Sequence, residues 1–226
     1  MRRTDLVLSL LSLALIGNAN AQAPVGPVLN PQNGHYYEFV RPFVTFPQAL
    51  AAASGASHLG RAGHLVTITS AEEQNFLALT FGNATGWIGA SDAAVNGEWR
   101  WITGPEAGQL FWKLETITPR PIYVTGTAYG FESWPRFSTG QQYEPNDADN
   151  LVSPPGREDF ATVQFYMRRN PATGLLEPRG DWNDLAATRS SGFFIEFEPI
   201  PEPSAIVLIV SGVVLGQGFL RRRRCQ

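Results

Sequence analysis

Gly63-His64-Leu65-Val66-Thr67-Ile68-Thr69-Ser70-Ala71-Glu72-Glu73 joins a short apolar run to the start of a helix. Ser70 with Glu73 three residues later is a capping box: the serine side chain caps the first turn and the glutamate reaches back to it. The helix carries Phe76, Leu77 and Leu79 and ends near Gly82. Upstream, Tyr36 to Val40 reads as a strand of aromatic and β-branched residues. Pro47, at the tolerated first-turn position, opens an Ala-rich helix from Gln48 to about His58. Downstream, Trp87-Ile88-Gly89-Ala90 and Glu98-Trp99-Arg100-Trp101 are short strands joined by turns at Asp92 and Asn96-Gly97.

Two later strands show period-2 alternation. Ala161, Val163, Phe165 and Met167 alternate with Thr162, Gln164 and Tyr166, while Phe193, Ile195 and Phe197 alternate with Glu196 and Glu198. Residues 103 to 159 are rich in Pro, Gly, Asn and Asp and lack periodicity. A structureless segment of that length is either functional or mis-assigned. Helices first, then short strands and a polar loop, is an α+β arrangement.

Composition narrows the function. The chain has 226 residues, 43% of them hydrophobic, enough for one domain with its own core. Its single cysteine, Cys225, excludes an intramolecular disulfide framework and a cysteine-rich metal site. The formal charge of −3 conceals an asymmetry: residues 22 to 203 hold 11 basic against 19 acidic groups, a net −8. Nucleic-acid binding relies on a basic footprint, so an acidic body argues against it and favours cations.

Both ends read as addresses. Met1-Arg2-Arg3, the apolar stretch Leu6 to Ile16 and Ala19-Asn20-Ala21 form an export signal over residues 1–21, with a linker at 22–32. At the other end, Pro201-Glu202-Pro203 precedes Ser204 to Leu220, mostly apolar and uncharged, then Arg221 to Arg224. Seventeen residues is at the lower limit for a transmembrane helix. The arginines belong on the cytoplasmic side, which puts the body outside. Residues 199–226 resemble the PEP-CTERM sorting signal of Gram-negative bacteria. That resemblance implies inner-membrane anchoring, then an exosortase-type sorting enzyme that cuts near Pro-Glu-Pro and leaves the protein at the cell surface or in the matrix.

Residues 33–198 resemble a C-type lectin-like domain. The resemblance rests on Asn33-Gly34-His35-Tyr36-Tyr37, the stretch from Gly63 to Glu73, Trp87-Ile88-Gly89, Gly97-Glu98-Trp99-Arg100-Trp101, Glu144-Pro145-Asn146 and Trp182-Asn183-Asp184, in that order. It implies two helices, short antiparallel sheets and a long calcium-binding loop region. It also implies Ca2+ held by Glu144, Asn146, Glu158, Asn183 and Asp184, with an auxiliary calcium site at Asp92, Asp147 and Asp159. A cis Glu144-Pro145 bond is implied as well.

Sugar would be bound through Glu144, Asn146, Asn183 and Asp184, with two neighbouring hydroxyls completing the metal's shell. Glu-Pro-Asn is the order that family members use for mannose-type hydroxyls, while Gln-Pro-Asp goes with galactose. The residue types suit the ion independently, because calcium takes six to eight oxygen ligands and no thiolate or paired imidazole adjoins the loop.

Departures from the family pattern are equally visible. Phe160 and Ala186-Ala187 stand at or near expected cysteines, Asn96 stands where the auxiliary site uses a carboxylate, and 11 residues separate Asn146 from Glu158. Trp87, Trp99, Trp101 and Trp182 read as core, and Trp112 and Trp134 as the better candidates for ligand contact. The three histidines are well separated, with His64 a structural residue beside a strand. H-E-x-x-H, G-x-S-x-G and P-loop motifs are absent, so the chain reads as a non-enzyme. Two functions remain: a calcium-dependent carbohydrate-binding module, with exopolysaccharide among its candidate ligands, or a structural or adhesion protein of the matrix whose calcium only stabilises.

Overall fold

A computed structural model describes residues 26–119, 122–147 and 157–199. The export signal, the Pro-Glu-Pro run, the stretch 204–220 and the arginine cluster lie outside them. Among the described residues no helix is long and apolar enough to cross a membrane.

The chain opens with β1 (Val28–Leu29) and β2 (Tyr36–Val44), then α1 (Phe46–Gly55), β3 (Ser57–His58), β4 (Arg61–Leu65) and α2 (Ala71–Thr80). There follow β5 (Thr85–Ser91), β6 (Glu98–Trp101), β7 (Leu110–Pro119), β8 (Ile122–Ala128), β9 (Phe160–Arg169), β10 (Leu176–Leu185) and β11 (Ser191–Phe197). The main sheet runs β1-β2-β11-β5-β6-β7-β8, and β9 bridges β5 to β10. Strand β11 lies at the centre, antiparallel to β2 and β4 and parallel to β5. The last strand thus pairs with β2, near the start of the chain, bringing the two ends of the domain together.

Both expected helices form. Pro47 lies in the first turn of α1, and Gln48 Oε1 accepts the Thr45 N–H at 3.0 Å. At α2, Ser70 Oγ accepts the Glu73 N–H at 3.1 Å, but Glu73 does not return to Ser70. Its carboxylate reaches one residue further, accepting the Thr69 N–H at 2.8 Å and the Tyr37 hydroxyl at 2.6 Å. Glu73 is buried beside Glu196, and burial first, then that second charge, pushes its pKa up to about 7.

The core is aromatic. The Trp182 ring meets Trp101, Phe111, Phe131 and Trp134 with centroids 5.6–5.9 Å apart at steep angles, the edge-to-face geometry that ring quadrupoles favour. Gly89, within Trp87-Ile88-Gly89, is required by close approach: a Cβ there would meet Thr103 Oγ1 at 2.0 Å and the Leu65 carbonyl at 2.8 Å.

Four expectations change. Residues 103–159 are not wholly irregular, because β7 and β8 form a hairpin with Lys113 opposite Thr127 and Thr116 opposite Thr125. Trp112 and Trp134, the suggested contact residues, are buried in the core. Met167 lies beyond the covered part of β9 and is exposed. Glu196, expected on the wet face of β11, is buried, because Tyr37, Thr67 and Glu73 close over its carboxylate.

Candidate functional site

Strand β10 supplies the first two site residues. Trp182 and Asp184 are buried on one face while Asn183, between them, is half-buried on the other, as strand alternation requires. The anchor is Trp182, whose Nε1 donates to Gln74 Oε1 of α2 at 2.9 Å. Its backbone N–H donates to the Ser133 carbonyl at 3.1 Å. Two residues on, the Asp184 carboxylate faces the Glu-Pro-Asn loop. Its Oδ1 accepts the Asn146 N–H at 3.2 Å and its Oδ2 the Asp147 N–H at 2.7 Å.

Glu144 precedes a cis peptide bond to Pro145. Its carboxyl group is buried next to Asp184. Glu158 re-enters the cluster: its N–H donates to Asp147 Oδ1 at 3.0 Å, and its charge acts on Glu144. The 11 intervening residues do not carry it away.

Asp92 adjoins them. With Asn96, Pro145, Asp147 and Asp184 it lines a cavity of about 50 Å³. Asp92 Oδ2 accepts the Gly97 N–H at 2.8 Å. Asp159 is different, because its carboxylate pairs with Arg157 Nε at 3.0 Å. Asn183 also stands apart: its amide donates to the Asp184 carbonyl at 2.7 Å, and its side of the strand borders a neighbouring cleft with Tyr143 and Asp181.

The electrostatics are those of a site crowded with like charge. Burial foremost, then the Asp184 and Glu158 charges, pushes the Glu144 pKa up to about 9. Burial, with Asp159 and Asp184 adding to it, pushes Asp92 up to about 7. Asp184 is also raised by burial, against the pull of the Asp147 and Asn146 N–H groups. A divalent cation would reverse this logic, because it becomes the largest local charge.

Hydrogen bonding tests the fit. Five buried side-chain atoms among the described residues lack a hydrogen-bond partner, and three are Asp92 Oδ1, Glu144 Oε2 and Asn146 Oδ1. A buried polar atom left unpaired costs about 1–3 kcal/mol. All three are oxygens beside carboxylates, the donor set of a hard cation. The residues therefore fit calcium, with Glu144, Asn146 and Asp184 at the centre and Glu158 beside them.

Residues 53–121 match the family model "Lectin C-type domain". Halomucin of Haloquadratum walsbyi is 49% identical over 174 residues, 77% of this chain but 2% of halomucin. Mouse C-type lectin domain family 10 member A is 36% identical over 77 residues, 34% of this chain and 24% of that protein. Among solved structures, the C-type lectin CEL-I from Cucumaria echinata aligns over 78% of this chain and 98% of its own, with TM-score 0.48 and 18% identity. Residues 53–121 thus carry the likeness to a C-type lectin domain, within a fold of two helices and a sheet.

The aligned stretches span a small part of the curated relatives, so the matches describe a domain rather than those whole proteins.

Proposed function

We propose that this protein is an exported, calcium-dependent carbohydrate-binding module with mannose-type preference, acting at the cell surface or in the extracellular polysaccharide matrix. One observation carries the reading: Glu144 Oε2 and Asn146 Oδ1, on either side of Pro145, are both buried without a partner. Glu144, Asn146, Glu158 and Asp184 would hold the ion, and Asn183, on the other face of β10, would join them by releasing the Asp184 carbonyl. Bound calcium supplies open coordination positions that two neighbouring sugar hydroxyls can fill. Glu144 accepts a hydroxyl proton, and the Asn146 amide donates to a hydroxyl oxygen. Asp92 and Asp147, with Asp159 beyond them, form the auxiliary cation position. The C-type lectin relatives and the two sequence addresses support a saccharide ligand outside the cell.

The second reading keeps calcium and drops the sugar, leaving a structural or adhesion protein of the matrix. What favours it is the Asn183 amide, engaged with the Asp184 carbonyl rather than with Glu144 or Asn146. The double change Glu144→Gln with Asn146→Asp separates the two. A sugar bound through this pair shifts from mannose-type toward galactose-type ligands. An unaltered preference would place the sugar elsewhere.

A further inference from the structure

His35 and His64 are far apart in the chain, yet both reach the same two carboxylates on the last strand and the residue after it. His35 Nδ1 lies 2.5 Å from Glu196 Oε1, and His35 Nε2 lies 3.9 Å from Glu198 Oε2. His64 Nε2 lies 3.1 Å from Glu198 Oε1. One ligand atom each from His35, Glu196 and Glu198 falls within 4.8 Å of the other two, the only such group of three or more among the described residues.

The surroundings orient these groups. Glu196 Oε2 accepts the Thr67 N–H at 3.0 Å and the Thr67 hydroxyl at 3.1 Å, while Oε1 faces His35 and also accepts the Tyr37 hydroxyl at 3.3 Å. The Leu65 carbonyl can only accept, so His64 Nδ1 donates to it at 2.9 Å, and Nε2 is the nitrogen aimed at Glu198. The two donors on the far oxygen of Glu196 are outer hydrogen bonds of the kind that orient ligands in metal sites, and His64, held by the Leu65 carbonyl, lies against Glu198 from outside.

We infer that His35, Glu196 and Glu198 form a second cation site, for a borderline divalent ion such as zinc, with Thr67 and His64 as its outer supports. The donor set separates it from the Glu144–Asp184 cluster, which offers oxygens alone. An imidazole with two carboxylates suits Zn2+, with water at the fourth position, whereas calcium prefers oxygen throughout. The location gives the ion a structural role. His35 immediately precedes β2, His64 belongs to β4 and Glu196 to β11, so one ion would tie the start and end of the domain. No cysteine pair does so in this chain.

The test uses the full chain carrying Cys225→Ser, which removes the one thiol, in calcium-saturated buffer. Zn2+ is titrated by calorimetry, and Co2+ is followed by its visible absorption. The inference predicts one equivalent of Zn2+, tetrahedral Co2+ bands, and loss of both in His35→Ala and in Glu198→Gln. His64→Ala weakens binding by about 10- to 100-fold, while Glu144→Gln leaves it unchanged. Near-UV circular dichroism of the buried tryptophans verifies that each variant is folded, and both ligand positions are partly exposed. No Zn2+ uptake by the parent, or equal uptake by the folded His35→Ala and Glu198→Gln variants, would overturn the inference.

Discussion

Asp184 accepts the backbone N–H of Asp147 at 2.7 Å, a charge-assisted bond that fastens the site loop to a core strand. The carboxylate is therefore both a support of the loop and a candidate calcium ligand. Calcium at a hundred times its Kd adds about 2.7 kcal/mol to folding stability. For a domain of this size that raises the melting temperature by roughly 5–10 °C. The Asp184→Asn variant should lose most of this shift. Thermal unfolding with calcium and with chelator decides, and equal shifts in both proteins would remove Asp184 from the metal's shell.

Trp182 supports the site from beneath. Trp182→Phe keeps an aromatic ring in the core but leaves Gln74 Oε1 without the indole N–H it now accepts. The expected cost is about 1–3 kcal/mol, seen in urea as a lower midpoint with an unchanged slope. Calcium affinity should fall too, because Asn183 and Asp184 continue the same strand. Parent-like unfolding and affinity would show that the indole bond contributes to neither.

Gly89→Ala should be among the more damaging single changes. The added methyl meets Thr103 Oγ1 at 2.0 Å and the Leu65 carbonyl at 2.8 Å, and the latter is backbone that cannot rotate away. Overpacking of this kind costs about 1–3 kcal/mol. A variant melting within a degree of the parent would contradict the packing described for β5.

The sorting account makes a cellular prediction. Removing residues 201–226 takes away the Pro-Glu-Pro run, the apolar stretch and the arginines. The shortened protein should leave the membrane fraction and accumulate in a different compartment. Identical fractionation of both forms would refute a sorting role.

Much of the frame is legible in local signals, because Ser70 with Glu73, Pro47 and the Trp87-Ile88-Gly89 run act over a few residues. The β7–β8 hairpin escapes a reading based on apolar alternation. Trp112, Leu114 and Ile117 of β7 pack against the core, but a register shift between Leu114 and Thr116 breaks their period of two, and Thr125 and Thr127 of β8 are exposed. Its β-branched content, as in Ile117-Thr118 and Val124-Thr125, is the signal that would have found it. At the site, the acidic residue types are readable, but their mutual burial is not.

Long-range pairing hides the rest. His64 stands opposite Glu196 in the β4–β11 register, and Tyr37 opposite it in β2–β11. Alternation in β11 alone assigns Glu196 to solvent, whereas Tyr37, Thr67 and Glu73, distant in sequence, surround its carboxylate. The separation of the three histidines along the chain likewise conceals that His35 and His64 share one carboxylate pair.

Binding of the purified protein to an array of immobilised saccharides, once with calcium and once with chelator, tests the central claim most directly. The account predicts retention on mannose-type glycans in calcium and its loss in chelator. Chelator-insensitive binding, or no binding to any saccharide while calcium still raises the melting temperature, would contradict it.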